Sequence, residues 1–181
     1  LGPGKMLRRM VEADRLSSII LFGPPGTGKT SLARVVAATT RSGFAKLNAV
    51  TAGVADIKRV IADTENPILN PSGRTLLFVD EIHRFTRSQQ DALLPSVESG
   101  LLTLVGATTE SPWATSNGPL LSRFTVFRLE PIDHDDLTVL LDRALGATGS
   151  TIDVEARAAL LHGVDGDARK LLTTLDVAIA L

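Results

Sequence analysis

The stretch GPPGTGKT, residues 23–30, fits the pattern G-x-x-x-x-G-K-[ST] and leaves this chain few folds to choose from. It stands directly after the short apolar run IILF and directly before a segment with helical periodicity. Glycine lets the backbone curl so that several N–H groups point at one centre, and the N-terminus of the following helix adds positive potential. Such a cradle binds phosphate oxygens. Lys29 then reaches the β- and γ-phosphates of a nucleotide, and the Thr30 hydroxyl is placed to ligate Mg2+. Gly23, Pro24, Pro25, Gly26, Thr27 and Gly28, followed by Lys29, Thr30 and Ser31, are the candidate contacts to the nucleotide.

A second stretch, LLFVDEIHR at 76–84, carries four apolar residues straight into two adjacent carboxylates, Asp80 and Glu81. Like charges side by side repel and carboxylates are costly to desolvate, so packing alone gives little reason for the pair. A bound cation gives one. Beside a phosphate loop, an Asp at the tip of a neighbouring strand completes the Mg2+ site with the loop hydroxyl, which assigns the metal to Thr30 and Asp80. Glu81, one residue on, points elsewhere and is placed to orient or deprotonate an attacking water. The pair therefore indicates hydrolysis of the nucleotide.

Strands and helices alternate along the chain. Strand patterns appear at SSIILFGPP, which runs into a Gly/Pro turn, and at FAKLNAV, TLLFVD, LLTLVGATT and FTVFRLEP, with helical patterns at 5–16, 29–38, VADIKRVIADT and SQQDALLPSVE, and a short helix near 118–122. Pro95 inside SQQDALLPSVE is expected to bend or divide that helix. Strands that are short and apolar on both faces predict a five-stranded parallel sheet covered by helices. After Pro131 the pattern is helical only, roughly 134–145, 152–162 and from 167 onward. The reading is an α/β nucleotide-binding core over 1–131 and a small all-helical lid over 132–181.

Composition removes other classes. There are 19 Lys+Arg against 20 Asp+Glu, so the net charge of -1 argues neither for nor against nucleic acid. With no cysteine there is neither a disulfide nor a thiolate metal site. No apolar run approaches the ~18 residues of a membrane span, and the chain is expected to be soluble and cytoplasmic. It begins with Leu1, and its last stretch, ARKLLTTLDVAIAL, is a helical pattern without a terminal cap, so it is expected to be the core of something longer. His83, His134 and His162 share no ligand spacing and read as surface or packing residues. Trp113, in the loop ESPWATSN, reads as an anchor on its own domain.

GPPGTGKT, LLFVDEIHRF, GATT, LLSRF and GDARKLL, in this order and at these spacings, resemble an AAA+ ATPase. Within that superfamily, HRFTRSQQDALLPSVESG, LVGATTESPWATSNGPLLSR and DGDARKLL resemble the replication-associated recombination protein A family, relatives of the eukaryotic Werner-helicase-interacting protein. The resemblance covers nearly the whole chain. It implies a Mg-ATP-driven ATPase acting on DNA at stalled forks and recombination intermediates, with the strand LLTLVGATT lying between the phosphate-loop strand and the Asp-Glu strand. Thr109 takes the place of sensor 1, a polar group that helps hold the lytic water, with Thr108 the alternative one residue away. Arg123 in LLSRF matches the arginine finger offered to the nucleotide of a neighbouring subunit, and Arg169 in GDAR matches sensor 2 of the lid. Asn48 is the candidate polar switch that restrains Glu81.

The resemblance further implies a homo-oligomer, a tetramer or hexamer, associated with the nucleoid. Single-strand-binding protein and other replication proteins are its expected partners. Family members carry an adenine-enclosing segment ahead of LGPGK and an oligomerisation domain beyond the lid, so the isolated chain is expected to bind ATP weakly and turn it over slowly. Arg8, Arg9 and Arg15 make residues 5–15 basic, but Glu12 and Asp14 dilute the charge, and DNA association reads as a property of the assembly. The competing readings are another AAA+ DNA machine, a clamp-loader or Holliday-junction branch-migration subunit, and an ATP-switched scaffold.

Overall fold

A computed structural model of the protein describes residues 5–112 and 123–180. The expected short helix near 118–122 and Trp113 lie outside the described residues. Two compact units emerge. One takes in the described residues of Leu1–Phe22 and Lys29–Arg128, the other Gly23–Gly28 and Leu129–Leu181.

The first unit holds α1 (Met6–Glu12), β1 (Ile19–Phe22), α2 (Lys29–Thr39), β2 (Gly43–Asn48), α3 (Val54–Glu65), β3 (Thr75–Asp80), α4 (Arg87–Glu98), β4 (Leu102–Thr108) and β5 (Thr125–Arg128). All pairings are parallel, and the five strands run in the order β2-β3-β4-β1-β5. β4 therefore lies between β1 and β3, as the family resemblance implied. The continuous apolar runs have their physical cause here: Leu76, Leu77, Phe78 and Val79 of β3 are all buried, because a parallel sheet is covered on both faces. Leu77, Val79 and Leu104 pack in one cluster with Ile57 of α3 and Leu93 of α4. From α2, Ala33, Val36 and Ala37 are buried.

Strand and helix ends fall within a few residues of the sequence reading, with one correction. Pro95 neither ends nor divides α4, which runs unbroken from Arg87 to Glu98. Proline there removes one N–H bond near the C-terminal end of the helix, while Leu93 and Ser96 stay buried on its inner face. The start of α4 is fixed by a capping box: Gln89 N–H donates to Thr86 Oγ1 at 3.3 Å, and Thr86 N–H donates to Gln89 Oε1 at 2.7 Å.

Gly106 shows how closely the strand ends are packed. A Cβ placed on it would lie 2.5 Å from Ile82 Cδ1 and 3.0 Å from Ile82 Cγ2. Ile82 opens the 3-10 turn Ile82–Arg84 that follows β3 and is itself buried. Gly106→Val should therefore destabilise the chain by about 1–3 kcal/mol through overpacking, a lowered Tm in thermal unfolding being the check.

The second unit contains α5 (His134–Thr148), α6 (Val154–His162) and α7 (Ala168–Ala180) around Leu137, Leu141, Leu145, Leu161, Val164, Leu171 and Leu175. Each helix is started by an aspartate whose Oδ1 accepts a backbone N–H: Asp133 from Asp136 at 2.8 Å, Asp153 from Ala156 at 2.7 Å, Asp167 from Lys170 at 2.9 Å. This unit begins at Leu129, ahead of the boundary expected after Pro131, and takes in the loop Gly23–Gly28. Among the described residues no helix is long and apolar enough to cross a membrane.

Candidate nucleotide site

In the first unit the C-terminal ends of three strands lie level. Phe22, the last residue of β1, pairs with Thr108 of β4, and Gly106 of β4 pairs with Val79 of β3. Asp80 and Glu81 thus leave β3 on the edge where parallel sheets place their ligands. Asp80 stays in the strand, opposite Asn48 of β2, and its Oδ2 lies 3.9 Å from Lys46 Nζ. Glu81 turns away. Its backbone is left-handed, φ 54° and ψ 42°, a conformation that costs a non-glycine residue about 1–2 kcal/mol. Sequence spacing required only that the two carboxylates diverge. The reversal at Glu81 is how the chain achieves it.

Lys29 and Thr30 are the first two residues of α2, and Ser31 follows as an exposed position. No acidic residue occupies that first turn, and the Thr30 hydroxyl makes no hydrogen bond to a described residue. A helix start with no carboxylate of its own suits an external anion.

Thr108 and Thr109 differ sharply. Thr108 is 2% exposed. Its Oγ1 accepts from Glu110 N–H at 3.0 Å and lies 2.9 Å from His83 Nδ1. Thr109 is exposed beyond the strand end, with its hydroxyl unpaired among the described residues. Of the two, Thr109 is the one with hydrogen-bonding capacity to spare.

In the second unit the phosphate loop rests on the start of α7. Ala168 N–H donates to Gly26 O at 3.2 Å, and a Cβ on Gly26 would overlap the Asp167 carboxylate. A Cβ on Gly23 would collide with the Leu129 carbonyl. Gly28 has open space around it but φ +82°, so its requirement is conformational. Within the loop, Thr27 Oγ1 donates to Pro24 O at 3.0 Å, while Pro25 is exposed. Arg169 is the second residue of α7, exposed, with no ion pair to a described residue. A cation unpaired in a first helical turn works against the helix dipole.

Of its two readings, surface or packing, His83 takes the second: its side chain is 5% exposed, with Nε2 3.5 Å from Glu81 Oε2 and 3.3 Å from Glu110 Oε1. Sequence gave no signal for this, because the turn after Glu81 folds a polar ring back under the strand ends. Asn48 Oδ1 accepts Val50 N–H at 2.9 Å in an Asx turn. Within the chain, Arg123 forms a 2.9 Å ion pair with Glu98 at the end of α4. His134 and His162 are exposed, as their reading required.

The donor set fits magnesium. Thr30 and Asp80 supply hard oxygens, and among the described residues no group of three His, Cys, Asp or Glu forms a self-sufficient metal cage. Mg2+ takes one or two protein oxygens and completes its octahedron with substrate phosphates and water.

Comparison with known proteins agrees with this chemistry. Residues 19–131 match the ATPase family associated with various cellular activities (AAA). Replication-associated recombination protein A of Escherichia coli K12 is 43% identical over 98% of this chain, and ATPase WRNIP1 of Dictyostelium discoideum is 43% identical over 96%. The chain spans 41% of the first relative and 20% of the second. Among solved structures, the RuvB Holliday junction branch migration motor of Thermotoga maritima is similar, with a TM-score of 0.74 and 27% identity over 92% of this chain and 56% of that one.

Proposed function

The chain belongs to the AAA family of ATPases, and on that premise we propose that it is the Mg-ATP-hydrolysing core of a DNA-directed machine serving replication-fork rescue and recombination. The observation that carries this reading is the shared strand edge: β1 hands the chain to GPPGTGKT while β3 ends on Asp80 and Glu81. The 43% identity to replication-associated recombination protein A supports the choice of process.

Each residue has a separate task in this proposal. The Gly23–Gly28 backbone cradles phosphate, and Lys29 neutralises the β- and γ-oxygens. The Thr30 hydroxyl and the Asp80 carboxylate would hold magnesium, which would supply positive charge against the negative charge that builds up in phosphoryl transfer. Glu81 accepts a hydrogen bond from water, aligns it with the γ-phosphorus and takes its proton. Thr109 steadies the same water. Arg123 serves the nucleotide of the next subunit, and Arg169 contacts the γ-phosphate from the lid.

Assembly into a tetramer or hexamer is part of the proposal, because Arg123 has no catalytic task within a lone chain. DNA contact also belongs to the assembly. The basic residues of α1 are partly neutralised within the chain, Arg8 Nε lying 2.7 Å from Glu12 Oε1, so one copy offers few free charges to phosphate. Single-strand-binding protein and a nucleoid location follow from the same process. Likeness to the RuvB motor favours branch migration as a second reading. ATPase stimulation by forked against four-way-junction DNA, measured on the full-length protein, separates the two.

Lys29→Ala tests the cradle. A buried charge-assisted contact to phosphate contributes about 1.5–3 kcal/mol, so ATP affinity should fall roughly 10- to 150-fold with the fold intact. Equilibrium binding of a fluorescent ATP analogue reads this directly, and undiminished affinity contradicts the assignment.

A further inference from the structure

We propose that His83 is a positioning residue for Glu81, aiming its carboxylate through Nε2 while its other ring nitrogen is tied to the end of β4. This rests on the reading of Glu81 as the group that orients and deprotonates water.

Four observations converge on the imidazole. It is 5% exposed, whereas the Glu81 side chain it faces is 38% exposed and has freedom to lose. Nδ1 lies 2.9 Å from Thr108 Oγ1, so the ring cannot rotate without breaking that contact. Nε2 faces two carboxylates, Glu81 at 3.5 Å and Glu110 at 3.3 Å. Ionised carboxylates only accept hydrogen bonds, so the contact calls for the tautomer with its proton on Nε2, in which the Thr108 hydroxyl donates to Nδ1 rather than to the Glu110 carbonyl 3.1 Å away. Finally, Glu81 sits in a left-handed backbone between the strand and a turn whose Ile82 is buried. The turn thus fixes where Glu81 begins, and the imidazole N–H fixes where it ends. Thr108 and Glu110 belong to the strand end next to Thr109, so the same ring ties the two polar groups that serve the lytic water to one rigid point.

A purely structural histidine would fill the space and hold Thr108 through Nδ1. The two roles use different nitrogens, and two amides tell them apart. Asparagine places its amide near Nδ1 and stops short of Glu81; glutamine reaches the Nε2 position. In the full-length assembled protein, His83→Asn should lower kcat about 10²-fold, the size of effect expected from a misdirected catalytic group, while leaving KM and ATP affinity within about threefold. His83→Gln should restore most of that loss. Retained turnover in His83→Asn with loss in His83→Gln overturns the proposal, as does an equal loss in both that tracks a lowered Tm.

Placing His83→Asn on a Glu81→Gln background should add nothing further, because the two residues act as one unit. An additive loss contradicts the coupling. Independently of whether the His83 variants fold, 15N-labelled histidine NMR of the parent and of Glu81→Gln should show Nε2 protonated and its signal moved by the substitution; an unmoved signal rejects the contact. If Glu81→Gln itself leaves turnover intact, the hydrolytic role of Glu81 fails. If it abolishes turnover while His83→Asn does not, only the role of His83 fails.

Discussion

Arg123→Ala should leave ATP affinity of the assembled full-length protein within about twofold and cut its kcat by about 10³- to 10⁵-fold, the range over which an arginine finger acts. The split follows from where the guanidinium works. It meets charge that develops in the transition state on a neighbour's nucleotide, so ground-state binding does not depend on it. Within the chain Arg123 pairs with Glu98, yet both side chains are about half exposed, 47% and 52%. Such a pair contributes about 0–1 kcal/mol, so handing Arg123 to a neighbour loses little, and the alanine variant should unfold at nearly the parental temperature. Mixing gives the sharper result. Arg123→Ala subunits keep an intact phosphate loop, and Lys29→Ala subunits keep an intact finger, so mixed oligomers should regain turnover that neither variant has alone. An unaffected rate, or no recovery on mixing, rejects action across the interface.

Glu81→Gln should bind ATP as tightly as the parent and hydrolyse it about 10²- to 10⁴-fold more slowly, the contribution of a positioned general base. The substitution keeps volume and the unusual backbone, and removes only the ability to accept a proton. Nucleotide should therefore accumulate unhydrolysed on the protein, visible as bound triphosphate after rapid filtration. Turnover above a tenth of the parental rate contradicts the role. The same variant separates a motor from an ATP-switched scaffold: a scaffold that needs nucleotide only for assembly keeps its biological activity when hydrolysis stops.

The parts of this site that sequence revealed are those written in consecutive residues. IILF followed by GPPGTGKT, and TLLFVD ending on Asp80 and Glu81, each combine a strand signal with a chemical group at the strand's end. The alternation of strands and helices, with central strands such as TLLFVD apolar on both faces, then leaves a covered parallel sheet as the natural outcome. The parts that stayed hidden are made by contact across the chain. Nothing near His83 in sequence announces Glu110, Glu98 gives no sign of its pairing with Arg123, and the need for glycine at Gly106 appears only when Ile82 is packed against it. Pro95 leaves α4 undivided because helix propensity is a local quantity, and the buried inner face of the helix outweighs one missing hydrogen bond.

The central claim is that Thr30 and Asp80 together hold the ion on a bound triphosphate, with Glu81 facing the water that attacks it. A crystal structure of the full-length protein with magnesium and a non-hydrolysable ATP analogue tests this most directly. The account predicts Mg2+ at about 2.0–2.1 Å from the Thr30 hydroxyl, the Asp80 carboxylate joined to the ion directly or through one of its waters, and an ordered water between Glu81 and the γ-phosphate. An ion held by other side chains, or a Glu81 carboxylate directed away from the γ-phosphate, contradicts it.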